Sequence, residues 1–160
     1  MAPFWKNSRG EWFVIGQFVL AGLIVFGPRT LAGFPPWPPF LQPLGMLPGS
    51  LLVGTGLLLA GAAVLNLGRN LTPFVCPRAQ ATLVTSGAYG LVRHPIYSGL
   101  IIAAVGFTLV VQGWLTAGFT LLLGALLDCK SRREERLLLV QLPGYADYCR
   151  RVKRLIPYLY

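Results

Sequence analysis

Charge is spread along this chain in a way that leaves few folds open to it. No Asp, Glu, Lys or Arg lies between Glu11 and Arg29, between Arg29 and Arg69, or between Arg93 and Asp128. A helix needs about 20 mainly apolar residues to cross a hydrocarbon core roughly 30 Å thick, and each gap can hold such a segment. Composition agrees. Charged residues make up 12% of the 160, half of the roughly 25% usual in soluble domains, and mean hydropathy is +0.61. The expectation is a single all-α domain, residues 1–160, integral to a membrane.

Four spans are expected, near residues 12–27, 47–67, 95–111 and 114–127. The first ends at Pro28, and the second follows Pro48, a natural helix start. The uncharged stretch from Pro95 to Leu127 would be about 50 Å long as one helix, too long for the core. Gln112-Gly113 breaks it into a tight helical hairpin, whose second arm continues into "DCKSRREERLLLV". Lys6 and Arg9 before an apolar run resemble a secretion signal, but no small-x-small cleavage site follows and more apolar runs do. The run is read as a retained span.

With the amino terminus inside, every Lys and Arg except Arg29 falls on the inner side, which is the bias of cytoplasmic loops. Both termini are therefore expected in the cytoplasm, with the protein in a bacterial inner membrane. This placement accounts for the net charge of +9 without nucleic acid, and the basic tail suits anionic lipid at the inner face. The outer loop "GFPPWPPFLQPLGMLP" favours polyproline II, with Phe34, Trp37 and Phe40 read as interfacial anchors. The 19 glycines of the whole chain suit close helix packing in lipid. Cys76, Cys129 and Cys149 lack paired spacing, and with one histidine no metal site is expected.

The informative polarity sits in two inner segments, 69–95 and 128–160. The hairpin between them returns the chain to one face, so Arg93-His94 and Glu134-Glu135 can meet. Taken alone, these groups read as a solvated helix with local ion pairs and a hydrogen-bonded interfacial histidine. No alternating strand–helix pattern with a glycine fingerprint is present, which excludes a Rossmann-type nucleotide domain.

"LVTSGAYGLVRHPIYSG" from Leu83 to Gly99, the later Glu-Glu pair and "GYADYCRRVKRLIP" together resemble the isoprenylcysteine carboxyl methyltransferase and phospholipid methyltransferase family. These are small multispanning enzymes that use S-adenosylmethionine, and the likeness covers roughly residues 64 to 157. It implies that Thr82, Leu83 and Val84 line the cofactor, that Tyr89 touches it, and that His94, Pro95, Ile96 and Tyr97 form the other wall. It implies catalytic roles for Glu134, Glu135 and Arg93, with Arg93 alternatively orienting its loop. The resemblance also implies that Glu134 lies on the substrate side. Relatives that methylate carboxyl groups carry an arginine where this chain has Lys130, and lysine cannot grip a carboxylate as a planar fork. Arg133 or Arg132 is the alternative.

The implied reaction is methyl transfer to a lipophilic, membrane-delivered acceptor, most like isoprenylcysteine carboxyl O-methylation. The alternatives are N-methylation of a phospholipid or other amine, and a non-catalytic membrane scaffold or binder. A carboxylate acceptor needs no base, whereas an amine must lose a proton, which Glu134 or Glu135 can take. The acceptor and the oligomeric state are left open by the sequence.

Overall fold

A computed structural model describes residues 10–76 and 81–160; the expectations for Lys6, Arg9 and Arg78 lie outside them. Among the described residues the chain is helical, with no strand longer than a single bridge. Five α-helices follow in order: α1 Glu11–Phe26, α2 Ser50–Leu67, α3 Pro95–Val111, α4 Trp114–Gln141 and α5 Tyr145–Arg151.

The boundaries follow local chemistry. Pro95 takes the first position of α3, where its missing N–H costs nothing. The hairpin turns at Gln112, in the left-handed region with φ 48°, and at Gly113. A Cβ on Gly113 would sit 2.6 Å from the Arg29 carbonyl oxygen. α4 runs unbroken for 28 residues from the apolar turn into the charged segment, as the hairpin reading expects.

Membrane-type character is clearest in the stretch Pro39–Asn70, 32 residues of helical turns with hydropathy 1.9. Among the described residues it is the one helical stretch long and apolar enough to cross a membrane by length and composition; α1 and α3 are apolar but shorter. Its large side chains point outward, with Leu58 74% and Leu65 81% exposed, while Gly56, Ala60 and Ala63 face inward. That is the reverse of a water-soluble helix and matches packing in lipid, where small residues form the contacts. A Cβ on Gly56 would lie 2.5 Å from the Gly99 carbonyl oxygen, and one on Gly106 would lie 2.6 Å from that of Gly49. The backbones of α2 and α3 therefore touch.

The Pro-rich segment departs from the polyproline II expectation. Residues 39–49 form 3-10 and π turns that lead into α2, with Pro39 again at a helix start. Trp37 is half-buried against Trp114, ring centroids 5.5 Å apart, and the Trp114 indole donates to the Pro35 carbonyl at 2.9 Å. Phe34 and Phe40 remain exposed.

α1 lies on α4, and α3 lies between α2 and α4. The Thr108 and Thr120 hydroxyls meet at 2.8 Å across the hairpin. One core cluster joins Ile24, Tyr97, Ala104, Leu123 and Leu127 to Leu155 of the tail. The hairpin thus brings the start of α3, the polar half of α4 and the tail to one end of the bundle.

Candidate functional site

At that end the loop before α3 is held by two asparagines near the end of α2. The Ala88 amide donates to the Asn66 side-chain oxygen at 2.9 Å. Asn70 treats Thr82 as a peptide partner: it accepts from the Thr82 amide at 3.1 Å and donates to the Thr82 carbonyl at 3.2 Å. Gly87 has φ 62°, and a Cβ there would collide with the Asn66 carboxamide. Only glycine suits that position.

The next segment is clamped from the other side by the tail. Val92 and Lys153 form a parallel bridge. The amides of Arg93 and His94 donate to the carbonyls of Lys153 and Arg154 at 2.8 and 3.1 Å. The Tyr148 hydroxyl donates to the Tyr89 carbonyl at 2.6 Å. These contacts fix where the His94 ring sits.

That ring lies between the paired glutamates. Its Nδ1 is 3.5 Å from Glu134 Oε2 and its Nε2 is 3.3 Å from Glu135 Oε1. Nε2 is buried and has no hydrogen-bond partner of good geometry. The Tyr97 ring stacks on the imidazole at 5.4 Å, and its hydroxyl donates to Glu134 Oε1 at 2.5 Å. The two carboxylates then diverge. Burial pushes the Glu134 carboxyl above the usual range, against the opposing pull of His94, Tyr97 and Lys130. Glu135 accepts from Arg93 Nε at 2.7 Å and Arg154 Nε at 3.0 Å. Although burial opposes it, the nearby His94 ring and the Arg93 guanidinium draw Glu135 down to about 2.

A cavity of about 330 Å³ opens beside this cluster, within the range of small-molecule sites. Of the residues expected on the cofactor side, Thr82, Leu83, Val84, Tyr89, His94, Ile96 and Tyr97 line it; Arg93, Lys130 and Glu134 line it too. Three expected residues do not. Pro95 is fully buried at the start of α3. Glu135 faces the ion pairs just described. Arg133 lies over the Phe13 ring at 5.9 Å, and its neighbour Arg132 is turned to Asp128 and Tyr160.

Lys130 is 2% exposed. Its ammonium donates to Gln17 Oε1 at 3.1 Å and to the Pro73 carbonyl at 3.0 Å. It also lies 5.0 Å from the centre of the Tyr97 ring. Two of its protons are thus committed within the protein.

Sequence reasoning gave the tail from Pro143 to Tyr160, with Arg154, as lying on the inner leaflet or capping the cofactor pocket, and assigned no individual role to Asn70, Gln17, Tyr145 or Tyr148. The tyrosines and Asn70 line the cavity. "GRN" and "GYADY" were visible as text, but no spacing rule returned them to the site.

A family model described as the isoprenylcysteine carboxyl methyltransferase (ICMT) family matches residues 49–140. The chain is 34% identical, over 96% of its length, to the cobalt-zinc-cadmium resistance protein CzcN of Cupriavidus metallidurans, covering 65% of that protein. It is 34% identical over 69% of its length to a probable protein-S-isoprenylcysteine O-methyltransferase of Oryza sativa, covering 60% of it. Against protein-S-isoprenylcysteine O-methyltransferase B of Arabidopsis thaliana the identity is 29% over 69% of this chain and 58% of the relative. The chain spans about 58 to 65% of the length of these curated relatives. It belongs to the isoprenylcysteine carboxyl methyltransferase family.

Proposed function

From that membership and the cavity beside His94, we propose a membrane methyltransferase that moves a methyl group from S-adenosylmethionine to a lipophilic acceptor. The carrying observation is the lone imidazole, with an unpartnered ring nitrogen, set between two glutamates at the wall of a cavity that also has tyrosine faces. These residues fit the cofactor. His94 and the backbone amides suit its carboxylate, while Tyr89 and Tyr97 offer faces for adenine and for a soft cation. Bound there, S-adenosylmethionine supplies an electrophilic methyl group on its sulfonium.

The protein's own part is positioning and proton control. Thr82, fixed by Asn70, and the apolar Leu83 and Val84 hold one wall, so two bound molecules can be aligned for an in-line displacement. The buried Tyr145 and Tyr148 also line the cavity, and walls of this kind strengthen electrostatics within when a bound ligand displaces water. α1, α2, α3 and the apolar half of α4 are read as four spans, with the cavity at the cytosolic boundary and both termini on that side. The outward Leu, Phe and Val side chains of these helices support a lipid surround.

One observation favours an amine over a carboxylate acceptor. Lys130 is already committed to Gln17 and Pro73, while Glu134 faces the cavity with its carboxyl raised by burial. A carboxylate so placed can take a proton. The test is a screen in detergent with methyl-labelled S-adenosylmethionine against prenylcysteine analogues, phosphatidylethanolamine, and small thiols and amines. Labelling of one acceptor class is expected. Tight binding of S-adenosylmethionine with no transfer to any acceptor would make the protein a non-catalytic binder, and absence of binding removes the reading.

A further inference from the structure

Glu135 stands one residue from Glu134 but is turned to a different task. It does not line the cavity. Both of its oxygens are taken: Oε1 by Arg93 and Oε2 by Arg154. Arg93 in turn donates to the carbonyls of Cys149 at 3.1 Å and Val152 at 2.5 Å. Glu135 is therefore the point where α4, the loop before α3 and the tail are tied together.

The tied tail carries the backbone that holds His94. Lys153 and Arg154 supply the carbonyls for the Arg93 and His94 amides, and Leu155 accepts from the Ser98 hydroxyl at 2.7 Å. The Leu155 side chain enters the core beside Tyr97. His94 has an irregular backbone, φ −124° and ψ 62°, with no side-chain cap at the start of α3. Its N–H depends on the tail.

We propose that Glu135 and Arg154 are positioning residues that lock a strap, residues 152–155, along residues 92–98. The strap holds the His94 ring at the cavity wall, and neither residue exchanges a proton with a ligand. This rests on reading the cavity as the S-adenosylmethionine site. The depressed carboxyl of Glu135 agrees, because a group anionic down to about pH 2 is a weak proton acceptor. Supporting groups of this kind orient the residues that touch a ligand and are costly to remove.

The experiment compares the wild-type protein with Arg154→Ala, Arg154→Lys, Glu135→Gln and the Arg154→Ala/Glu135→Gln double variant in detergent. It reads S-adenosylhomocysteine affinity, the rate of tryptic cleavage at Arg150, Arg151 and Lys153 beside the strap, and the thermal midpoint. Arg154→Ala is expected to weaken affinity about 10-fold and to speed cleavage, with Arg154→Lys recovering most of both because one donor to Glu135 remains. The loss in the double variant should be smaller than the sum of the two single losses, since both variants break the same Glu135–Arg154 bond. Wild-type affinity and cleavage in Arg154→Ala would overturn the proposal. So would a Glu135→Gln protein that binds and resists trypsin normally but loses one limb of its pH–rate profile. If Glu135→Gln does not fold, the two Arg154 variants decide. If the wild-type protein binds no S-adenosylhomocysteine, the methyltransferase reading fails, and cleavage with its lysine rescue still decides the strap.

Discussion

The α2–α3 seam and the polar end of the bundle are held together by opposite means. Among the described residues no side chain donates a bond from one helix of the seam to the other; Gly49, Gly56, Gly99 and Gly106 let backbones meet, and the gain is dispersion over close surfaces. At the polar end four charged or titratable groups, Arg93, His94, Glu135 and Arg154, are packed within ion-pair distance. A seam of that kind fails when anything is added to it. An ion-paired cluster fails when one member is taken away, because the partner is left charged and buried.

The largest effect is expected at the seam. Gly56→Leu puts a side chain against the Gly99 carbonyl and the Ala103 backbone, which cannot move aside, and should cost roughly 3 kcal/mol, the upper part of the overpacking range. Gly61→Leu, on the same helix with nothing within 4 Å, should leave the thermal midpoint in detergent unchanged. Equal losses in both would break the account of the seam.

Next comes Glu135→Gln, which removes the negative charge facing two guanidinium groups and should cost about 3 kcal/mol. Its pH signature has a definite sign. A carboxyl held at about 2 against an ordinary 4.5 adds stability above pH 4.5 that fades as pH falls toward 2. The wild-type advantage over Glu135→Gln should therefore shrink through that window in an acid unfolding series.

Glu134→Gln should separate the neighbours. Burial raises the Glu134 carboxyl, so its charge costs stability as pH rises through the folded-state value, the reverse of Glu135. At neutral pH the glutamine variant should melt at or above the wild-type midpoint, because its amide oxygen still accepts from Tyr97, while any transfer to an amine acceptor drops by about 100-fold or more. A midpoint well below wild type would place Glu134 with the structural pairs. The smallest effect is expected for Asp147→Asn. Its pair with Arg150 is exposed on both sides, and such pairs contribute little; thermal scans should not resolve the change.

The polar cluster was legible in part. The hairpin at Gln112-Gly113 and the meeting of His94 with Glu134 followed from the length of the uncharged run and the position of the breaker. The division of labour within the Glu-Glu pair did not follow. Adjacent helix residues point about 100° apart, so which one faces the cavity depends on the rotation of α4 about its axis. That rotation is set by packing against α1 and α3, not by the local text. Lys130 is the same case. Lys130 and Glu134 stand at i and i+4, a spacing that by itself favours a pair on the helix surface, yet Gln17 of α1 and the Pro73 carbonyl captured the ammonium.

By itself the sequence determined that the chain forms apolar helices with polarity collected at one end, and that a histidine and two glutamates return to that end. Segment length against charge spacing is a local property, and it leaves few alternatives. Only the tertiary structure decided which polar groups neutralise one another and which are left facing a cavity. Most of those pairings join residues far apart in the chain, such as Arg93 with Glu135, 42 positions apart, and Lys130 with Gln17, 113 apart. They depend on helix rotation and on the path of the returning tail, which no local pattern encodes.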